Sequence, residues 1–195
     1  DRSPSVYETP GAPELLLDKG TLRFENVSFS FTKDNKKVEV LKNINLSVSA
    51  GETLGIVGPP GSGKSTIVHL APRFYDIEDG AIYIDDQNIR EISIDYLRRF
   101  VCVVQQDPYL FTASIENNIA YGDPWAEDDT ILSANQAAQF HDHIDQLPLK
   151  YKTLVGERGV SLSGGQRQRL SIARGLVTEP GIIIFDDSTA SIDAV

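Results

Sequence analysis

One cysteine in 195 residues, Cys102, excludes an internal disulfide and a zinc site built on thiolates. It sits in an apolar run, which fits a small buried residue in a reducing compartment. Basic residues are also scarce: 18 Lys and Arg against 28 Asp and Glu leave a net charge of −10. Phosphate backbones select basic surfaces, so nucleic acid is disfavoured as the main partner. A small polyphosphate needs only local positive charge and is not excluded. No run of about 18 apolar residues is present, so nothing here reads as a membrane-spanning helix. No signal peptide is visible either. Apolar residues at 41% and charged residues at 24% are ordinary globular values. The length suits one large domain or a domain with an inserted lobe.

What is there is organised around Gly58-Pro59-Pro60-Gly61-Ser62-Gly63-Lys64-Ser65-Thr66. This run fits G-x-x-x-x-G-K-[S/T], the phosphate-binding loop of nucleotide triphosphatases. Glycines let successive backbone N–H groups turn inward around a phosphate, where a Cβ would intrude. Lys64 supplies a point charge for the β- and γ-phosphates, and the Ser65 hydroxyl suits Mg²⁺. Such a loop leaves a strand and opens a helix, whose positive dipole end then faces the anion. The apolar run Thr53–Val57 reads as the buried strand. Ile67, Val68, Leu70 and Ala71 have helical spacing, closed by Pro72.

Around this loop the chain divides by pattern. Asp1 to about Gly20 carries Pro4, Pro10, Gly11 and Pro13 without periodicity and reads as a linker or arm. Leu22–Phe31 alternates apolar and polar residues as a half-buried strand does; Thr32–Lys37 reads as a turn and Val38–Val48 as further short strands. These imply an antiparallel β subdomain beside an α/β core. Ala81–Ile84 is a strand followed by a turn at Asp85–Asn88, and Phe100–Val104 suits a strand buried on both faces. From Ser114 to about Leu147 the pattern turns helical, with Ser114 capping Ile115–Ile119 and Ile131, Ala134 and Ala138 at helical spacing. This stretch reads as an inserted helical lobe. No internal repeat or low-complexity tract occurs.

Two later features complete a site. Ile182–Phe185 reads as a buried strand ending in Asp186, a carboxylate placed to hold the water shell of Mg²⁺. Ser163-Gly164-Gly165-Gln166 precedes a helix and forms a second anion cradle, with a hydroxyl, two residues without Cβ and a helix N-terminus. One nucleotide does not need two cradles in one small domain, so the second suits a nucleotide held by another subunit.

With these motifs together, the chain resembles the nucleotide-binding domain of an ATP-binding cassette (ABC) transporter of the exporter type, from about Leu22 to Asp193. Gly58–Thr66 matches the family's Walker A, Gln106 its Q-loop glutamine, Leu162–Gln166 its LSGGQ signature and Ile182–Asp186 its Walker B. Ala190–Asp193 matches the D-loop, and Val155–Gly159 resembles the X-loop that contacts the coupling helices of exporter membrane domains. Phe31 falls where the family stacks an aromatic on adenine, with Phe29 as competitor.

The resemblance implies an α/β fold: a P-loop, RecA-like ABC ATPase core with an antiparallel β subdomain and a helical lobe at about 107–177. It makes residues 1–20 an arm from an upstream transmembrane domain and residues 21–195 the nucleotide-binding domain, with the C-terminal part of the core and its switch histidine absent. His69, His141 and His143 then count as ordinary surface or core residues. The implied ligands are ATP and Mg²⁺, the metal held by Ser65, Gln106 and Asp186. The implied partners are a second nucleotide-binding domain, head to tail, and the coupling helices, at the cytoplasmic face of a membrane. Ser163, Gly164, Gly165 and Gln166 would contact the partner's ATP.

One position departs from the pattern. The residue after the Walker B aspartate is usually a glutamate that polarises the attacking water, and here it is Asp187. Losing a methylene withdraws the carboxylate by about 1.3 Å, and an error near 1 Å costs on the order of 10²-fold in rate. The expectation is good ATP binding with slow hydrolysis at this chain's own site, within a heterodimer whose partner site is active. The competitor is a homodimer whose backbone compensates for the shorter side chain. Two further readings also remain open, a regulatory ATP-binding half-site and, as the second, an ABC ATPase acting on nucleic acid. Against the second stand the acidic balance, the X-loop match and the lack of a long coiled-coil insertion between Gln106 and Ser163.

Overall fold

The computed structural model describes Val6 and residues 19–33, 36–105, 108–156 and 161–186. The chain forms two compact units, Asp1–Val101 and Cys102–Val195.

The first unit is built on the antiparallel pair β1 (Leu22–Lys33) and β2 (Lys36–Val48). Both strands run further than the expected turn at Thr32–Lys37 allowed, because pairing continues through Thr32↔Lys37 and Lys33↔Lys36. Along β1 the buried residues are Leu22 and Phe24, then Val27 and Phe29, a change from even to odd positions. Strand side chains alternate faces, so an extra residue must intervene to keep all four on one side. It does so at Asn26, whose φ of 50° marks the bulge where the register shifts. Opposite it, Gly80 has φ 85°, and a Cβ there would lie 2.3 Å from the Glu25 carbonyl oxygen. Only glycine permits that approach.

A helix, α1 (Lys64–Leu70), follows the phosphate loop and buries Thr66, Val68 and Leu70. Next come β3 (Asp79–Ile84), the short β4 (Gln87–Asn88) and α2 (Ile94–Phe100). The sheet order is β2-β1-β3-β4. Asp85 and Asp86, with φ of 46° and 63°, make the tight turn between β3 and β4. The Asp85 carboxylate also accepts the backbone N–H groups of Lys19, Gly20 and Thr21 at 2.8–3.0 Å, anchoring the chain where it enters β1.

The second unit holds β5 (Val101–Val104), β6 (Ala113–Ser114), α3 (Ile115–Ala120), α4 (Asp128–Ala137), α5 (His141–Asp145), β7 (Leu154–Val155), α6 (Gly164–Leu176) and β8 (Ile182–Phe185). Strands β5 and β8 pair, as do β6 and β7. Ser114 caps α3 as expected, its hydroxyl accepting the Asn117 N–H at 3.1 Å. Ile115, Ile119, Ile131, Phe140, Ile144 and Leu170 centre a core shared by α3, α4, α5 and α6. On its other side α6 lies close against β5, since a Cβ on Gly175 would sit 2.6 Å from the Cys102 sulfur. Among the described residues no helix is long and apolar enough to cross a membrane.

Three strand expectations need correction. Thr53–Val57 lies outside any sheet, with Leu54 44%, Ile56 40% and Val57 94% exposed. An apolar run becomes a buried strand only when neighbours complete its backbone ladder, and among the described residues this run has none. In β8, Ile182, Ile183 and Ile184 are only half-buried and Phe185 is exposed, because that strand pairs with β5 alone among the described residues. In β5 the ends, Val101 and Val104, are buried while Cys102 and Val103 between them are half-buried.

Candidate functional site

The phosphate loop is shaped by glycine where a side chain could not fit. Gly61 and Gly63 have φ of 79° and 90°, and a Cβ on Gly63 would lie 2.7 Å from Leu41 Cδ2. At Gly58 a Cβ would meet the Ser62 hydroxyl at 2.9 Å. The turn is closed by the Ser62 N–H donating to the Pro59 carbonyl at 3.2 Å. Gly63 caps α1 without a side chain, so no protein side chain takes the first N–H groups of that helix at its cap. At a helix N-terminus such groups can receive a phosphate. Lys64 Nζ folds back to donate to the Gly58 and Pro59 carbonyls at 2.9 and 3.1 Å. The lysine therefore borders the cradle that Pro60, Gly61 and Ser62 span, while Ser65 is exposed and Thr66 is buried in the first turn of α1.

Of the two candidate adenine platforms, Phe29 is core, at 5% exposure, and Phe31 is open, at 38%. Phe31 meets Phe29 edge-on at 4.8 Å between centroids and Tyr75 edge-on at 5.4 Å. Both rings lie on the face that the bulge at Asn26 gives Val27, and Phe31 stands two residues nearer the end of β1. Tyr75 escaped notice in the sequence; its ring is placed by the turn after α1, which no periodicity announces.

In the second unit, Asp186 follows β8 and its N–H donates to the Val104 carbonyl at 3.1 Å. Ser163 caps α6 with a complete capping box. Its hydroxyl accepts the Gln166 N–H at 3.3 Å, and Gln166 Oε1 accepts the Ser163 N–H at 2.8 Å. Gly164 and Gly165 open the helix between them. Gln106 and Asp187 lie outside the described residues, as do Glu157–Gly159 of the expected X-loop, the D-loop Ala190–Asp193 and all of the N-terminal arm but Val6, Lys19 and Gly20.

Helix α6 carries a polar network that sequence reasoning missed. Arg174 Nε donates to the Asn118 carbonyl at 2.7 Å, one terminal nitrogen to the Tyr109 carbonyl at 2.8 Å and the other to Asn118 Oδ1 at 3.0 Å. Asn118, fully buried, also binds the Phe111 N–H and carbonyl at 2.9 and 3.0 Å. Its partners tie α6 and α3 to the segment just beyond Asp107. Burial lowers the Arg174 pKa from its usual value, with an opposing effect from Tyr121. The signal was an asparagine on the inner face of a helix, between Ile115 and Ile119, where a polar side chain must be fully bonded. His143, dismissed as ordinary, also touches the site, through Gln166.

Comparison with known proteins bears on the family and the fold. The ABC transporter family model matches residues 41–190. A multidrug efflux ATP-binding/permease protein of Mycobacterium tuberculosis is 47% identical over 197 residues, covering 100% of this chain and 16% of that protein. ATP-binding cassette sub-family B member 6 of Homo sapiens is 46% identical over 188 residues, 96% of this chain and 22% of that protein. A solved bacterial Atm1-family ABC exporter with ATP bound superposes with a TM-score of 0.89 at 42% identity, over 97% of this chain and 33% of that one. The chain belongs to the ABC transporter family, as a nucleotide-binding domain related to those of exporters. It is an ATP-binding, ATP-hydrolysing ABC ATPase domain with the expected α/β core, antiparallel sheet and helical insertion. It spans about a third or less of the length of these relatives. The glycine cradle, Lys64 and the Ser65 hydroxyl fit the phosphates and Mg²⁺ of ATP.

Proposed function

We propose that this domain is the ATP-driven motor of a membrane exporter, pairing head to tail with a second nucleotide-binding domain at the cytoplasmic face of the membrane. The observation that carries the proposal is the coexistence of two cradles of different make. One is an uncapped glycine loop ending in Lys64; the other is a capped helix start at Ser163. The first suits this chain's own ATP, with Lys64 on the β- and γ-phosphates and Phe31 beneath the adenine. The second suits the γ-phosphate of the partner's ATP. Ser163 accepts from Gln166 through its hydroxyl oxygen, which leaves the hydroxyl proton to donate to an anion. Ser65, Gln106 and Asp186 would hold Mg²⁺, which would supply charge neutralisation for the phosphates. Binding of two ATPs would draw the domains together, and hydrolysis with release would part them. The coupling helices would receive the motion through the lobe at about 107–177 and the X-loop at Val155–Gly159.

We further infer that hydrolysis at this chain's own site is slow, because Asp187 stands where the family carries glutamate. The partner is then a different chain, whose active site this chain's Ser163-Gly164-Gly165-Gln166 completes. In the full-length transporter with its partner, Asp187→Glu should raise ATPase turnover at this site by up to about 10²-fold. An unchanged single-site turnover would mean that Asp187 already reaches its water. A regulatory half-site that holds ATP without hydrolysing it is the second reading, favoured by the same short side chain. Trapping of ATP rather than ADP at this site after many turnovers would select it.

A further inference from the structure

The first turn of α6 has a partner outside its own helix. Gln166 sends the two ends of its side-chain amide to different neighbours. Its Oε1 accepts the Ser163 N–H at 2.8 Å, as the capping box requires. That contact fixes which end is which. Nε2 then faces the other way and lies 3.3 Å from Nδ1 of His143 in α5. An amide NH₂ group only donates, so His143 Nδ1 accepts and the ring proton sits on Nε2. That Nε2 is buried and has no hydrogen-bond partner among the described residues. A buried donor left unsatisfied is unfavourable. The ring stacks on buried Phe140, with centroids 5.6 Å apart and planes 30° from parallel. A phenyl ring would stack as well and strand no donor. What the imidazole adds at this place is the acceptor that meets Gln166.

We propose that His143 is a positioning residue for the signature turn, holding the Gln166 amide so that the Ser163 cap stays formed when the partner's ATP arrives. The proposal rests on the reading of Ser163 as a contact to that nucleotide. The link runs from His143 Nδ1 to Gln166 Nε2, and from Gln166 Oε1 to the backbone of Ser163. His143 itself touches no nucleotide. Without its acceptor, the Gln166 side chain is free to swing off the cap. Ser163 then enters the dimer interface with its N–H unbonded, and the cap is held only by its hydroxyl on the Gln166 backbone N–H.

The test uses the full-length transporter assembled with its partner chain, with steady-state ATPase kinetics and thermal midpoints of four proteins: wild type, His143→Phe, His143→Asn and Ser163→Ala. His143→Phe keeps the stack on Phe140 and removes the acceptor. His143→Asn places its Oδ1 where Nδ1 stands and restores it. The loss of one such hydrogen bond predicts a KM for ATP raised about threefold to tenfold in His143→Phe, with a smaller change in kcat and no fall in the thermal midpoint. His143→Asn should return KM towards wild type. A wild-type KM in His143→Phe, while Ser163→Ala is impaired, overturns this inference and leaves the signature reading standing. Equal impairment of the Phe and Asn variants, with lowered midpoints, also overturns it, because packing alone would then explain the residue. A Ser163→Ala transporter with unchanged kinetics removes the signature reading and this proposal with it. Should His143→Phe fail to assemble, His143→Gln, whose acceptor lies at the Nε2 position, takes its place with the same expected rise in KM.

Discussion

Helix α1 begins at Gly63, with φ 90° and no side-chain cap, whereas α6 begins at Ser163 inside a complete capping box. Both starts are glycine-rich and both suit a phosphate. They differ in who satisfies the first N–H groups. In α1 no side chain caps the helix start, and Lys64 rests on the loop carbonyls of Gly58 and Pro59. In α6 the protein supplies its own acceptors, and a second helix, α5, supports them through His143. An uncapped start trades intrinsic helix stability for ligand-dependent order; a capped one is already in place when a ligand arrives. That division suits the proposed roles, one start to hold this chain's own nucleotide and the other to present a hydroxyl to the partner's.

The sharpest way to break this comparison is at the two ends that differ most. Lys64→Ala in the full-length transporter should lower ATP hydrolysis by about 10²-fold or more. Its thermal midpoint without nucleotide should stay near wild type, since the ammonium bonds only exposed loop carbonyls. A large fall in the apo midpoint would mean that the loop is held by its lysine rather than left for the ligand.

Next in size is the support behind α6. Asn118→Ala removes contacts to Phe111, Ser114 and Arg174 at once and leaves buried groups unpaired. Hydrogen exchange at the Phe111 amide should accelerate by about 10²-fold, with little change at α1. Protection that survives the substitution would show that the network does not hold this segment.

The smallest effect concerns Cys102, packed beneath Gly175 of α6. Burial raises its thiol pKa, so less thiolate is present at a given pH in the folded chain than in the unfolded one. Alkylation by iodoacetamide should be slower in the native protein than in urea, and its rate should still be climbing at a pH where the unfolded thiol has levelled off. Equal rates in the two states would mean that α6 does not stay closed over β5.

Much of this molecule could be read from local chemistry. A run of glycines before Lys64 and Ser65 dictates inward N–H groups whatever surrounds it, because the constraint is steric and lies within the loop. Ser163 with Gln166 three residues later dictates a capping box for the same reason: both partners belong to one turn. Ser114 before Ile115 is a third case. These features depend on residues a few positions apart, so the sequence contains the whole interaction.

Tertiary structure decided the rest. Whether Thr53–Val57 is a buried strand depends on neighbours that its own residues cannot supply. That Val27 and Phe29 share a buried face with Leu22 and Phe24 was decided by a bulge at Asn26, admitted by Gly80 on another strand. His143 gained a role because α5 packs where Gln166 needs an acceptor, and Asn118 because Arg174, far along the chain, closes its hydrogen bonds. A capping hydroxyl or a phosphate-loop glycine answers to its own turn, but burial, register and the partner of a polar side chain are set by what another segment brings alongside.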